Sequence, residues 1–357
     1  MTASPPGGPE LPGGPEPPGP ELPGPELPGP ELASRLRAGD LSAAPAMLNM
    51  VESRAGQARA QTGALLAALS PAALGREAPA HIVGVTGPPG SGKSSLLSRL
   101  VAVWRAAERT VAVLAVDPTS RRSGGALLGD RARIEVDPRD RGVFIRSAAA
   151  GERLGGLAPA TRAAASALAV AFDVVVIETV GVGQSETDVA DVADTVVVVV
   201  QPGSGDVLQF LKAGIMEIPD IVVVTKSDLG RVASRALADL RTALTSLGAA
   251  GTAVLAVSCL APPSGIAELA GALDAHRDGL DLPGRRLRAR RMHALADFTV
   301  EHGERGLRAL GGRREAERWL AEQERGLDVA SLERALEQRA DARAAAATGR
   351  TRSAPPA

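Results

Sequence analysis

Ile82-Val83-Gly84-Val85-Thr86-Gly87-Pro88-Pro89-Gly90-Ser91-Gly92-Lys93-Ser94-Ser95-Leu96-Leu97 passes from an apolar run through a glycine-rich turn into a helix-forming stretch. Gly87–Ser94 matches the phosphate-loop pattern, with a strand before it and a helix after it as the pattern requires. Glycines here let backbone N–H groups curl around phosphate oxygens, and the following helix adds the partial positive charge of its N-terminus. Gly87, Pro89, Gly90, Ser91, Gly92 and Ser95 are the expected binding positions. Lys93 is expected to neutralise the β- and γ-phosphates, and Ser94 to place its hydroxyl on Mg²⁺, which prefers oxygen ligands. The alternative, a structural glycine-rich turn, is opposed by the strand and helix on either side.

Outward from this stretch, short Val/Ile runs alternate with helical segments. The runs are Ile82–Thr86, Val111–Asp117, Val143–Arg146, Val174–Glu178, Val196–Gln201, Ile221–Lys226 and Val254–Ser258. Continuous apolar strands separated by helices imply an α/β fold with a mostly parallel central sheet covered on both faces. Ligands of such sheets bind beyond the carboxyl ends of the strands, where every chemical motif in this chain falls. The expected organisation is a Pro/Gly-rich tail over residues 1–32, a helical extension over 33–79 and a P-loop domain over 80–275. A C-terminal helical segment over 284–340 and a loose tail over 341–357 complete it. Proline at the density seen in Gly8–Leu32 denies the backbone regular hydrogen bonding, so a disordered or polyproline II tail is expected there.

Carboxylates end or follow several strands. Glu178 closes an apolar run and precedes Thr179-Val180-Gly181, a loop suited to approach the γ-phosphate. Asp117 ends the preceding long strand and Asp130 follows Gly129. Each alone could cap a helix or form a turn; beside a P-loop they read as a magnesium and switch shell. The expected catalytic set is Lys93, Asp117, Asp130 and Glu178, with Ser94, Asp117 and Glu178 as metal ligands and Gly181 as a nucleotide contact. Val182 stands where many small GTPases carry a water-orienting glutamine, so intrinsic hydrolysis is expected to be slow; Gln184 follows two residues later.

Thr225-Lys226-Ser227-Asp228 follows a strand and is similar to the Asn-Lys-x-Asp sequence by which GTPases read guanine. A carboxylate at Asp228 accepts two hydrogen bonds from the N1–H and 2-amino groups of guanine, which adenine does not offer. Threonine in place of asparagine is expected to lose an amide that ties the base pocket to the phosphate loop. Ser258, Cys259 and Leu260 fall where a base-contacting turn is expected.

The composition is consistent with this reading. Among 357 residues the net charge is −1, which offers no field for nucleic acid or an anionic membrane, so partners must be recognised locally. With no Tyr, two Trp and four Phe, the core must rest on Val, Leu, Ile and Ala. The single cysteine excludes an internal disulfide framework and agrees with a reducing compartment, so the cytoplasm is expected. The arginine-rich run Arg285–Arg291 opens a helical segment and is soon offset by Glu301, Glu304, Glu315 and Glu317; a solvated helix face is expected.

Four stretches together resemble the MeaB/ArgK family of SIMIBI-type P-loop GTPases. They are Gly87–Ser94, Ala115–Ser120 with Ser123–Asp130, the string Glu178-Thr179-Val180-Gly181-Val182-Gly183-Gln184-Ser185-Glu186, and Lys226–Asp228. The resemblance runs from the helices near Ala33 to those near Arg325. It implies GTP/GDP and Mg²⁺ as ligands, and a homodimer held through the C-terminal helices. It also implies a chaperone that hydrolyses GTP, gates adenosylcobalamin delivery to methylmalonyl-CoA mutase and protects or reactivates that enzyme. Older naming implies instead a kinase of a lysine/arginine/ornithine transport system. A nickel-chaperone GTPase is a further reading of the same fold, opposed by only four histidines and one cysteine. The chain departs from the family at Thr225 and over Arg146–Glu152, where a Pro/Ser-rich segment is usual.

Overall fold

All seven apolar runs form strands: β1 His81–Thr86, β2 Val111–Asp117, β3 Val143–Ala149, β4 Val174–Thr179, β5 Thr195–Val200, β6 Ile221–Val224 and β7 Ala253–Ala256. The computed structural model describes residues 27–53, 55–117, 134–149, 159–179, 185–203 and 219–351. The strands pair in the order β3-β2-β4-β1-β5-β6-β7, and every pairing is parallel. β1 therefore lies mid-sheet, between β4 and β5.

Burial on both faces explains why the strands read as unbroken apolar runs. On one face Ile82, Leu114, Val175, Ile177 and Val196 join a core with the helices α1 (Gly29–Arg37), α2 (Ala44–Glu52) and α3 (Gly56–Ala68), which precede the sheet. Helices α6 (Pro159–Ala171) and α7 (Ser185–Val192) complete that layer. On the other face Val83, Val85, Val113, Val176 and Val199 pack on Leu96, Leu97, Leu100 and Trp104 of α5 (Lys93–Ala106). Leu269 and Leu273 of α9 (Ile266–Asp278) share that core, while α8 (Arg231–Ser246) covers the β5–β6 end through Leu240 and Leu244. Gly84 admits α7 against β1, because a Cβ there would lie 2.6 Å from Val189 Cγ2. The short helix α4 (Pro71–Leu74) leads into β1, and α10 (Leu282–Leu310), α11 (Arg313–Glu322) and α12 (Val329–Thr351) build a separate core around Phe298, Leu310, Leu320 and Leu336.

Three expectations are corrected. The helical part begins at Gly29, inside the tail assigned to residues 1–32: proline is tolerated in a first helical turn, and Leu32 is fully buried. At the other end α12 continues to Thr351 instead of stopping near Ala340, in keeping with the helix-favouring Ala344–Ala347 run. The arginines of α10 do not form a solvated face. Arg286 pairs with Asp194 at 2.6 Å and donates to the carbonyls of Ala78 and Ala80. Arg290 pairs with Glu77 at 2.8 Å, and Arg291 donates to the carbonyls of Ala321 and Gln323. Asp194 is itself buried and accepts from the Ile82 N–H at 2.8 Å, so α10 is fastened to the amino end of the sheet. No helix among the described residues is long and apolar enough to cross a membrane.

Candidate functional site

The loop after β1 presses against β5. A Cβ on Gly87, whose φ is 142°, would lie 2.0 Å from the Val199 carbonyl oxygen, so glycine alone fits there. Gly92 takes a left-handed conformation (φ 92°) at the N-cap of α5. Lys93 is buried, with Nζ donating to the carbonyls of Gly87 at 2.7 Å and Pro88 at 3.2 Å. Its charge is thus held over the loop that precedes it.

Ser94, in the first turn of α5, donates from Oγ to Glu178 Oε1 at 3.0 Å. Strand register brings this about: Glu178 of β4 lies beside Val85 of β1, two residues before the loop begins. Glu178 is buried at 6% exposure, so its carboxylate is held among packed groups. Asp117 ends β2, whose Val116 lies beside Thr179, and the backbone therefore brings it to the same edge of the sheet. Asp130, Gly181, Val182 and Gln184 lie outside the described residues.

The donor set suits magnesium. A hydroxyl and a carboxylate are hard oxygen donors, and a cation with octahedral demand takes few protein ligands and keeps several waters. The hydroxyls of Thr86, Ser91 and Thr179 are buried at the same edge without a hydrogen-bond partner among the described residues. Buried polar atoms of this kind are costly unless they are satisfied, and clustered here they mark an edge built for a polar ligand.

The residues expected to read guanine also converge. After β6 the chain makes a 3₁₀ turn, Ser227–Leu229, held by the Ser227 N–H donating to the Val257 carbonyl at 3.0 Å. Ser258 then donates from Oγ to Asp228 Oδ1 at 2.7 Å, fixing an exposed carboxylate at one oxygen. The Leu260 N–H donates to Ser258 Oγ at 3.3 Å, and Arg99 of α5 donates to the Cys259 carbonyl at 3.1 Å. Burial pushes the Cys259 thiol above its ordinary range. Ser258, Cys259 and Leu260 therefore form a turn around Asp228.

Threonine at 225 does not cost the tie to the phosphate loop. Its hydroxyl lies 2.6 Å from the Ser91 carbonyl oxygen and 3.1 Å from that of Val200, and it reaches the loop directly. Lys226 adds a second link, with Nζ donating to the Gly90 carbonyl at 3.2 Å and to Gln201 Oε1. Gln201 and Arg99 were not singled out as site residues. Gln201's position just past the carboxyl end of β5 was the available signal; nothing in the sequence marks Arg99.

The chain matches the family described as "Methylmalonyl Co-A mutase-associated GTPase MeaB" over residues 44–305. It belongs to the MeaB family. This MeaB-family chain is 40% identical over 277 residues to a probable GTPase of Mycobacterium bovis, covering 75% of this chain and 80% of the relative. It is 48% identical over 195 residues to a protein of Pyrococcus horikoshii named as a GTPase, covering 54% and 59% respectively. Against that relative and two others at comparable identity, the match spans 46% to 64% of the relatives' own length. A solved structure titled as an LAO/AO transport system kinase superposes with a TM-score of 0.57 at 28% identity, covering 82% of this chain and 96% of that one. The expected family and fold class are both met.

Proposed function

We propose that this MeaB-family chain is a GTP-hydrolysing switch that serves a cobalamin-dependent methylmalonyl-CoA mutase, gating adenosylcobalamin delivery and protecting or reactivating the enzyme. The observation that carries the nucleotide part is the convergence at one sheet edge of the Gly87–Ser94 loop, the Ser94–Glu178 hydrogen bond and the Ser258–Asp228 pair. The mutase part is supported by the family's description.

In this reading Lys93 and the N–H groups of Gly90, Gly92 and Ser95 bind the phosphates. Asp228, held by Ser258, accepts from guanine. Ser94, Glu178 and Asp117 would hold Mg²⁺, which when bound neutralises charge building on the phosphate oxygens. Asp130 and Gly181 belong to the loops that sense the γ-phosphate, and their release after hydrolysis signals the partner. With Val182 after Gly181, intrinsic turnover is slow. The nucleotide unit is residues 80–275, flanked by helical extensions of which the C-terminal one pairs two copies into a homodimer. The cytoplasm is the compartment proposed.

The test is purified mutase with adenosylcobalamin, assayed with and without this chain. GTP-dependent change in cofactor loading or in the rate of mutase inactivation supports the proposal; identical behaviour with GTP, GDP and no nucleotide overturns it. Stoichiometric phosphoryl transfer to a binding protein, with little free phosphate, would move the reading to a transport-system kinase.

A further inference from the structure

Thr195 opens β5 at the amino end of the sheet, and its hydroxyl stands between two imidazoles. His81 Nε2, from the first residue of β1, lies 2.7 Å from Thr195 Oγ1. His276 Nδ1, from the last turn of α9, lies 2.8 Å from the same oxygen. The other ring nitrogen of His276 faces Asp220 Oδ1 at 3.3 Å. Asp220 is fixed in turn: its Oδ2 accepts from the Val196 N–H at 2.8 Å and lies 3.7 Å from Arg285 of α10. A single row of polar groups therefore runs from β1 across β5 to α9 and the residue that precedes β6.

The donors and acceptors available give this row a direction. An ionised carboxylate only accepts, so a neutral His276 keeps its proton on Nε2, towards Asp220, and leaves Nδ1 as an acceptor. The Thr195 hydroxyl has one proton, which goes to that nitrogen, and its oxygen accepts from His81 Nε2–H. A proton added at His276 Nδ1 reverses both bonds. The nitrogen becomes a donor to Thr195 Oγ1, the hydroxyl proton turns to His81 Nε2, and His81 then carries its own proton on Nδ1. His81 is 1% exposed and burial lowers it to about 4, so it stays neutral through this change. The His276 side chain is 25% exposed and meets water.

The charges around the row are engaged with one another. Asp194, next to Thr195, pairs with Arg286, and Asp274 of α9 pairs with Arg109. Arg277 donates to the Pro79 carbonyl. Asp194 and Asp274 act on His81 in the sense opposite to Arg277 and Arg109, and burial outweighs each of them.

We infer that His276, Thr195 and His81 form a pH-responsive hydrogen-bond relay across the amino end of the sheet, in which the charge on His276 sets the tautomer of His81. A proton taken up at the surface of α9 is thereby registered inside β1. The relay is independent of the nucleotide reading, since His81 begins the strand whose far end leads into the phosphate loop.

The test is nitrogen NMR of the full chain labelled in its histidine rings, between about pH 8.5 and about pH 5, for wild type, Thr195→Val, Thr195→Ser and His276→Gln. In wild type, His81 should pass from a protonated Nε2 to a protonated Nδ1, with the midpoint at which His276 becomes charged. Serine keeps the hydroxyl and should keep this coupling. Valine removes the hydroxyl, and glutamine removes the titrating ring, so in both variants the His81 tautomer should no longer change with pH; the glutamine variant leaves Thr195 in place should valine fail to fold. One His81 tautomer throughout the wild-type titration of His276 overturns the inference. So does a coupled change that persists without the Thr195 hydroxyl or the His276 ring, or a His276 whose charge is constant over the range.

Discussion

Ser94 and Glu178 are 84 positions apart and 3.0 Å from each other, and the proposed magnesium site rests on that approach. Removing the hydroxyl (Ser94→Ala) or the charge (Glu178→Gln) leaves Lys93 and the glycine loop in place but weakens the hold on a divalent cation. GTP turnover should fall at least about tenfold in each variant and should require more Mg²⁺ for half-maximal rate; phosphate release across a Mg²⁺ titration checks this, and an unchanged Mg²⁺ requirement would remove the metal role. At this scale the sequence is legible where function is local. Gly87–Ser94 is contiguous, and its spacing carries the backbone geometry with it. Thr225 was read as a loss because its partner, the Ser91 carbonyl, is a backbone atom far away in sequence and leaves no mark on side-chain pattern.

Elements were legible to the extent that burial writes a period into the chain. Seven strands gave seven apolar runs, and their ends were displaced by one or two residues where polar ladder ends such as Thr195 and Thr225 adjoin them, and by three in the half-buried edge strand β3, which continues to Ala149 instead of stopping at Arg146. The arginines of α10 were misread for the opposite reason. A basic residue looks the same in sequence whether it meets water or an acid, and Asp194 and Glu77 lie 92 and 213 positions from their partners. The structure makes Arg286 a clamp between α10 and the sheet, with the Asp194 side chain 1% exposed. Arg286→Ala would leave that carboxylate buried without its guanidinium, at a cost of roughly 3–5 kcal/mol. Arg288→Ala, on the exposed side of the same helix, should stay within about 0.5 kcal/mol. Denaturant unfolding of both variants checks the contrast, and equal stabilities would return these arginines to the solvated role.

At the scale of the whole molecule, His81, His293 and Glu333 give stability opposite pH dependences. Burial lowers His81 and His293 to about 4 from an ordinary 6.5, so both are neutral in the fold. The unfolded chain then binds more protons between those values, and stability falls as pH drops from 6.5 towards 4, by on the order of 3 kcal/mol for each histidine. Glu333 runs the other way. Burial, with Asp297, Glu301 and Glu337 nearby, raises it to about 7 from 4.5, so its contribution is present below 4.5 and is lost as pH rises through 7. Glu333→Gln should therefore raise the melting temperature at pH 8 and change it little near pH 4.5, as thermal melts at the two values would register. The carboxylate proposed to read guanine is Asp228. Calorimetric titration with GDP and ADP in Mg²⁺, for wild type and Asp228→Asn, tests that role. Tight GDP binding, little ADP binding and loss of that preference on substitution are the expected results; equal or stronger ADP binding by wild type would overturn the guanine role of Asp228.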